Sequence, residues 1–89
     1  MAWIVEFENS ARKEFKNIDF QAQKKILRFL RERITTDEDP RRFGEPLKGN
    51  WTSFWKYRIG DYRVICNIQD ERLLVLVVRV RHRSKAYQR

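Results

Sequence analysis

Basic side chains recur at every second position through the last third of this 89-residue chain, and that spacing is where chemistry is to be sought. Lys56 and Arg58 flank Tyr57, Arg63 follows Tyr62, and Arg79, Arg81 and Arg83 alternate ahead of the segment Ser84 to Tyr87. On a strand, residues i and i+2 point to the same face. Lys56 and Arg58 should therefore share one surface, and Arg79, Arg81 and Arg83 another. Fixed cations on a sheet face suit a phosphate polyanion. Tyr57, Tyr62, His82 and Tyr87 add groups that stack or carry protons.

RNA strand cleavage is one reaction such an array could serve. The 2′-hydroxyl attacks the adjacent phosphorus, which needs a proton acceptor. The phosphorane gains negative charge, and the leaving 5′-oxygen needs a proton. Removing one electrostatic donor from such a site typically costs on the order of 10²–10³ in rate. A hard cation could fill these roles but needs clustered carboxylates. From Lys56 onward the acidic residues are Asp61, Asp70 and Glu71, each at an expected turn. The pattern therefore points to metal-free chemistry by Lys, Arg, Tyr and His82.

Plainer readings stand beside these. Lys56 and Arg58 could solvate a strand face, and Arg81 and Arg83 could simply end a hydrophobic strand. Arg63 is harder to dismiss, sitting between Tyr62 and Val64 in an otherwise apolar run. His82, the one histidine, falls on the opposite face from Arg81 and Arg83 if the strand persists. Tyr87 is either a surface aromatic or a platform for an unpaired base.

Eighty-nine residues make one domain, 1–89. The formal charge of +8 and pI of about 10.2 favour an anionic partner, nucleic acid or acidic protein. At 42% hydrophobic residues the chain is too apolar for intrinsic disorder despite 36% charged ones. Cys66 alone excludes an internal disulfide and a Cys-rich zinc site, and its apolar neighbours suggest a buried strand position. The N-terminus lacks a signal-peptide pattern, and the aliphatic run Leu73 to Val78 is too short to cross a bilayer. A cytoplasmic protein without a membrane role is expected.

The elements that must position these side chains follow from periodicity. Trp3 to Phe7 alternates as a short strand. Ser10 is the expected cap of a first helix carrying Ala11, Phe15 and Ile18, and Asp19 that of a second. In the second, Ala22, Ile26, Phe29, Leu30 and Ile34 form an apolar stripe, with Lys24, Lys25, Arg28 and Arg31 on the other faces. Thr35 to Asn50 loses all periodicity and is expected to be a loop. Phe54 to Ile59, Tyr62 to Gln69 and Leu73 to Arg81 are strand-like, with Gly60-Asp61 and Asp70-Glu71 as turns. The expected class is α+β, in the order β-α-α-β-β-β: an N-terminal strand, a two-helix hairpin packed on one sheet face, then a three-stranded antiparallel meander.

The segment Pro46-Leu-Lys-Gly-Asn, the run Trp55-Lys-Tyr-Arg-Ile-Gly-Asp-Tyr-Arg-Val-Ile, and Val78-Arg-Val-Arg-His-Arg-Ser-Lys-Ala-Tyr together resemble the RelE/ParE superfamily of bacterial and archaeal type II toxins. The N-terminal strand and helical hairpin fit too, so the resemblance covers essentially the whole chain. It implies a microbial-RNase-like fold. On the RelE branch it implies an mRNA interferase acting in the ribosomal A site, without metal or other cofactor, leaving a 2′,3′-cyclic phosphate and a 5′-hydroxyl. The family's strand lysines map onto Lys56 and Arg58. Arg58 departs from that pattern, because guanidinium is a poor proton acceptor, which leaves Lys56 as the better base candidate. By the same resemblance Arg63 holds the scissile phosphate, Arg81 and Arg83 stabilise the phosphorane or protonate the leaving group, and Tyr87 orients substrate or transfers a proton. His82 stands where relatives often carry histidine and is a candidate participant.

The resemblance also implies a cognate antitoxin encoded alongside, whose acidic or amphipathic segment a +8 protein would attract. The other expected partner is the 70S ribosome with mRNA in its A site. Contact with DNA is expected only through the antitoxin. Lys48, Lys24, Lys25, Arg28 and Arg79 are candidate RNA contacts, the helix cations being equally consistent with a solvated face. Lys56, Arg63, Arg83 and Tyr87 favour the RelE branch. A ParE-like inhibitor of DNA gyrase and a catalytically inactive binder of its antitoxin remain as alternatives.

Overall fold

Alternation at the N-terminus becomes strand β1 (Ile4–Phe7) in the computed structural model, which describes residues 1–48 and 53–85. Trp3, expected inside that strand, lies just before it and is buried. Helix α1 spans Asn9–Lys16 and begins two residues earlier than Ser10 would allow. Glu8 occupies its N-cap without a side-chain bond, since the chain leaves β1 directly into the helix. Helix α2 (Phe20–Phe29) starts as expected, with Asp19 Oδ1 accepting from the Ala22 N–H at 2.9 Å. Gln23 Nε2 donates to the Ile18 carbonyl at 3.1 Å and ties the two helices at their junction. The end of the apolar stripe, Leu30–Ile34, runs on as one wider π-type turn.

The region expected to be a loop is partly ordered by its neighbours. Pro40–Phe43 forms a 3₁₀ turn capped by Asp39, and Glu45–Pro46 pairs as a two-residue strand, β2. Tyr57 explains the first of these: its buried hydroxyl donates to the Pro40 carbonyl at 2.7 Å. Strands β3 (Phe54–Ile59) and β4 (Tyr62–Gln69) meet at Gly60, whose φ of 61° suits glycine in a tight hairpin. Asp70–Arg72 is a short 3₁₀ turn, closed by Leu73 in the left-handed region, so β5 is Leu74–His82.

The sheet order is β1-β5-β4-β3-β2, antiparallel except where β1 joins β5 in parallel. Among the described residues five strands stand where the sequence suggested four, the addition being β2. The helices cover one face. There Ala11, Ile26, Leu30 and Ile34 pack against Tyr57, Ile59, Val64, Cys66, Ile68, Val75, Val77 and Val80. Each such aliphatic side chain, once buried, contributes about 1.5–3 kcal/mol. One irregularity decides what the other face carries. Cys66 pairs with Val77, but Ile65 pairs with Arg79, leaving Val78 as an extra residue in β5. Such a bulge re-aims the strand beyond it. Val77 and Val80 both enter the core, and Arg79 and Arg81 both go to the other face.

Candidate active site

On the face away from the helices, the register assembles what the sequence left as two surfaces. Arg58 of β3 pairs with Arg63 of β4, and Arg63 pairs with Arg81 of β5. The next row toward the far end holds Lys56, Ile65 and Arg79. Two residues along a strand rise roughly 6.6 Å, so the rows are close neighbours. The expectation that Lys56 and Arg58 lie apart from Arg79 and Arg81 is therefore corrected: β4 joins them into one field. Like charges directly opposite one another destabilise a sheet. A row of three arginines is thus an expensive arrangement for structure alone.

Carboxylates reach this field from elements distant in sequence. Glu45 of β2 pairs with Lys56 in register, and its carboxylate lies 3.7 Å from Lys56 Nζ and 4.0 Å from Arg58 Nε. The Lys56 side chain is 12% exposed, whereas that of Glu45 is 57% exposed and open to a substrate. Glu14 of α1 accepts from Arg81 Nε at 2.9 Å. Asp61, at the β3–β4 hairpin, accepts the Arg83 backbone N–H at 2.8 Å through its carbonyl, and its carboxylate stands 4.0 Å from Arg83 Nε. Arg63 Nη1 donates to the Gly60 and Tyr62 carbonyls at 3.2 and 2.9 Å, which fixes its fork along the hairpin.

His82 falls on the helix-side face, as its parity suggested. It pairs with Tyr62, the two rings meeting edge to face at 5.6 Å, and its Nδ1 lies 3.0 Å from Ser84 Oγ. Arg83 and His82 therefore occupy the hairpin end of the sheet rather than the middle of the arginine row. Tyr87, and the Gly49-Asn50 end of the Pro46-Leu-Lys-Gly-Asn segment, lie outside the described residues. Lys24, Lys25 and Arg28 are exposed on α2, in the layer on the opposite side of the sheet from the arginine row, and Lys48 is exposed beyond β2. The three α2 cations are not brought together with Lys56, Arg63 and Arg81.

Glu14 and Glu45 are the residues that sequence reasoning missed. A signal existed for Glu14: it sits three residues after Ala11 and four before Ile18, on the inward stripe of α1, where a carboxylate needs a partner. Glu45 had none, because its pairing with Lys56 is a matter of register between segments. Among the described residues no three His, Cys, Asp or Glu side chains gather as a metal-binding group. Cys66 is fully buried, and burial pushes its thiol far above the usual range.

The sequence profile of the family described as "ParE toxin of type II toxin-antitoxin system, parDE" matches residues 5–87. Toxin RelG of Mycobacterium tuberculosis (strain ATCC 25618 / H37Rv) is 28% identical over 89 residues, spanning all of both chains. Among solved structures, the toxin–antitoxin complex RelBE2 from Mycobacterium tuberculosis superposes with a TM-score of 0.83 at 26% identity, covering 94% of each chain. An E. coli RelE toxin with two arginines replaced by alanine, in the free state, gives a TM-score of 0.78 at 25% identity, covering 98% of this chain and 92% of its own.

Proposed function

This chain belongs to the ParE toxin family of type II toxin–antitoxin systems, within the RelE/ParE superfamily, and we propose that its arginine-lined sheet face is the site of a metal-free endoribonuclease acting on mRNA in the ribosomal A site. The observation that carries this reading is the row Arg58, Arg63 and Arg81, set across three adjacent strands beside Lys56. A phosphorane lying on that row would meet fixed positive charge from several directions. The donors are already in place, so the protein reorganises little as charge develops.

The base is reassigned from Lys56 to Glu45 in this proposal. Between an ammonium and a carboxylate 3.7 Å apart, the carboxylate oxygen is the atom with a lone pair to offer. Lys56 then orients Glu45 and adds charge, and Arg58, a poor acceptor, becomes an electrostatic donor. Arg63 holds the scissile phosphate. Arg81 stabilises the phosphorane, and Arg83 serves the leaving oxygen from the hairpin end, whereas His82, on the opposite face, takes no part in this proposal. Tyr87 orients the substrate. In-line attack from the 2′-oxygen leaves a 2′,3′-cyclic phosphate and a 5′-hydroxyl.

A cognate antitoxin is the proposed neutralising partner, supported by the superposition on the mycobacterial toxin solved with its antitoxin. The +8 charge favours an acidic segment there and makes docking on ribosomal RNA salt-sensitive. Site of action is the cytoplasm, and no described helix is long and apolar enough to cross a membrane. Inhibition of DNA gyrase is the second reading, favoured by the ParE profile match and by Arg58 standing where lysine is expected.

Primer extension on a defined mRNA, with and without programmed ribosomes, separates the two. Cuts within A-site codons that need ribosomes are the expected result. Intact mRNA in both reactions, with blocked supercoiling by gyrase, would transfer the assignment to the second reading. Intact mRNA and unimpaired gyrase would leave an inactive antitoxin binder.

A further inference from the structure

Strand β1 stops pairing with β5 where the Glu8 N–H donates to the Val77 carbonyl at 2.9 Å. Beyond that point the chain has turned into α1, and among the described residues the edge of β5 has no strand beside it. A backbone N–H on such an edge, once partly buried, needs another acceptor. Glu14 supplies it: Oε1 accepts the Val80 N–H at 2.8 Å. Its second oxygen, Oε2, accepts from Arg81 Nε at 2.9 Å, with both side chains 27% exposed. Capping the edge needs one oxygen. The other is spent on a side chain of the arginine row.

We infer that Glu14 is a positioning residue, which fixes the plane and direction of the Arg81 guanidinium for phosphorane stabilisation. The inference rests on the ribonuclease reading. Arg81 and Arg63 are opposed like charges on neighbouring strands, so the direction of each guanidinium decides where the charge is presented. A guanidinium is a planar fork, so an acceptor at Nε sets both its plane and its direction. Because the acceptor comes from a packed helix, the geometry exists before substrate arrives, and the rotamer freedom of a long side chain is already given up.

Single-turnover cleavage on programmed ribosomes tests this in a cycle of Glu14→Gln, Arg81→Lys and the double variant. Glutamine keeps one oxygen for the Val80 N–H but turns an NH₂ toward Arg81 Nε–H, so two donors meet. Glu14→Gln should lower the cleavage rate by on the order of 10–10²-fold, the scale of a misplaced group, with half-saturation by ribosomes nearly unchanged. On the Arg81→Lys background, which lacks the Nε–H, it should change the rate by less than about twofold. Wild-type cleavage by Glu14→Gln, or an equal loss on both backgrounds, would overturn the positioning role. Should the variant fold poorly, the intact toxin decides by NMR. A slowly exchanging Arg81 Nε–H resonance is expected, and one averaged with the exposed arginines would overturn the inference. Absence of ribosome-dependent cleavage by the wild-type protein is a separate outcome, which removes the ribonuclease reading and the role built on it.

Discussion

Arg63 stands directly across the ladder from Arg81, two guanidinium-bearing residues paired where a sheet would ordinarily place opposite charges or apolar groups. Arg58 extends the row on the far side of Arg63. This arrangement opposes stability and concentrates charge.

Arg58→Thr should raise stability while lowering activity. The substitution removes a like charge opposite Arg63, worth roughly 0.2–1 kcal/mol, and installs a residue with good strand propensity. It forfeits only a 4.0 Å, well-exposed contact with Glu45, the kind of pair that contributes little. Urea midpoints should shift upward, and ribosome-dependent cleavage should fall by on the order of 10²-fold. A variant both less stable and fully active would contradict the account.

Glu45→Gln isolates the base. The amide keeps the shape of the side chain but accepts a proton poorly, so the cleavage rate should drop by roughly 10²–10⁴-fold. Stability should move by less than about 1 kcal/mol, because the Lys56 and Arg58 contacts lie at a half-exposed strand edge. Undiminished cleavage would return the base to another group.

Gly44→Ala should unfold the edge that carries Glu45. The backbone there is extended, with φ of −138°, so conformation is no obstacle to a side chain. Space is the obstacle. A Cβ would come within 2.6 Å of both the Lys56 carbonyl oxygen and Trp55 Cδ1. Overpacking of this kind costs about 1–3 kcal/mol. Calorimetry should show a melting temperature lower by roughly 4–8 °C for each kcal/mol lost. An unchanged melting temperature would mean that β2 moves aside freely.

The clamp between the Pro40–Phe43 turn and the β4–β5 turn should register in acid. Arg41 donates to both carboxylate oxygens of Asp70, at 2.6 and 3.1 Å, and this hydrogen bond holds the Asp70 carboxyl below its ordinary 3.8. The group binds its proton less readily folded than unfolded. Its contribution is therefore complete above the ordinary value and is lost as pH falls through the lower, folded one. Asp70→Asn should be less stable than wild type near neutrality, and the gap in urea midpoint should close from about pH 5 toward pH 2. A gap that persisted in acid would assign the effect to packing rather than charge.

Local signals account for much of the fold. Helix periodicity marked the stripe through Ile26, Leu30 and Ile34, Asp19 marked the start of α2, and Gly60 marked the hairpin. The apolar neighbours of Cys66 marked a buried strand position. These are properties of neighbouring residues, set by backbone geometry and by which side chains avoid water. Tyr57, in contrast, expected among the groups that stack or carry protons, is fully buried with its hydroxyl committed to the Pro40 carbonyl. The segment 35–50 was less legible, since Pro40–Phe43 and Glu45–Pro46 take their structure from contacts with Tyr57, Trp55 and Lys56 rather than from their own pattern.

The main helices and strands, the class of fold, the family and the identity of the cations are thus legible in the chain read residue by residue. Tertiary structure alone decided where those cations point and what faces them. Strict alternation along β5 would put Val77, Arg79 and Arg81 on one side, and the extra residue at Val78 separates them. Pairing through β4 merges two basic surfaces into one, and packing of α1 and β2 delivers Glu14 and Glu45 to it. Register and bulges are fixed by hydrogen bonding and burial between segments far apart in the chain, so no local pattern encodes them.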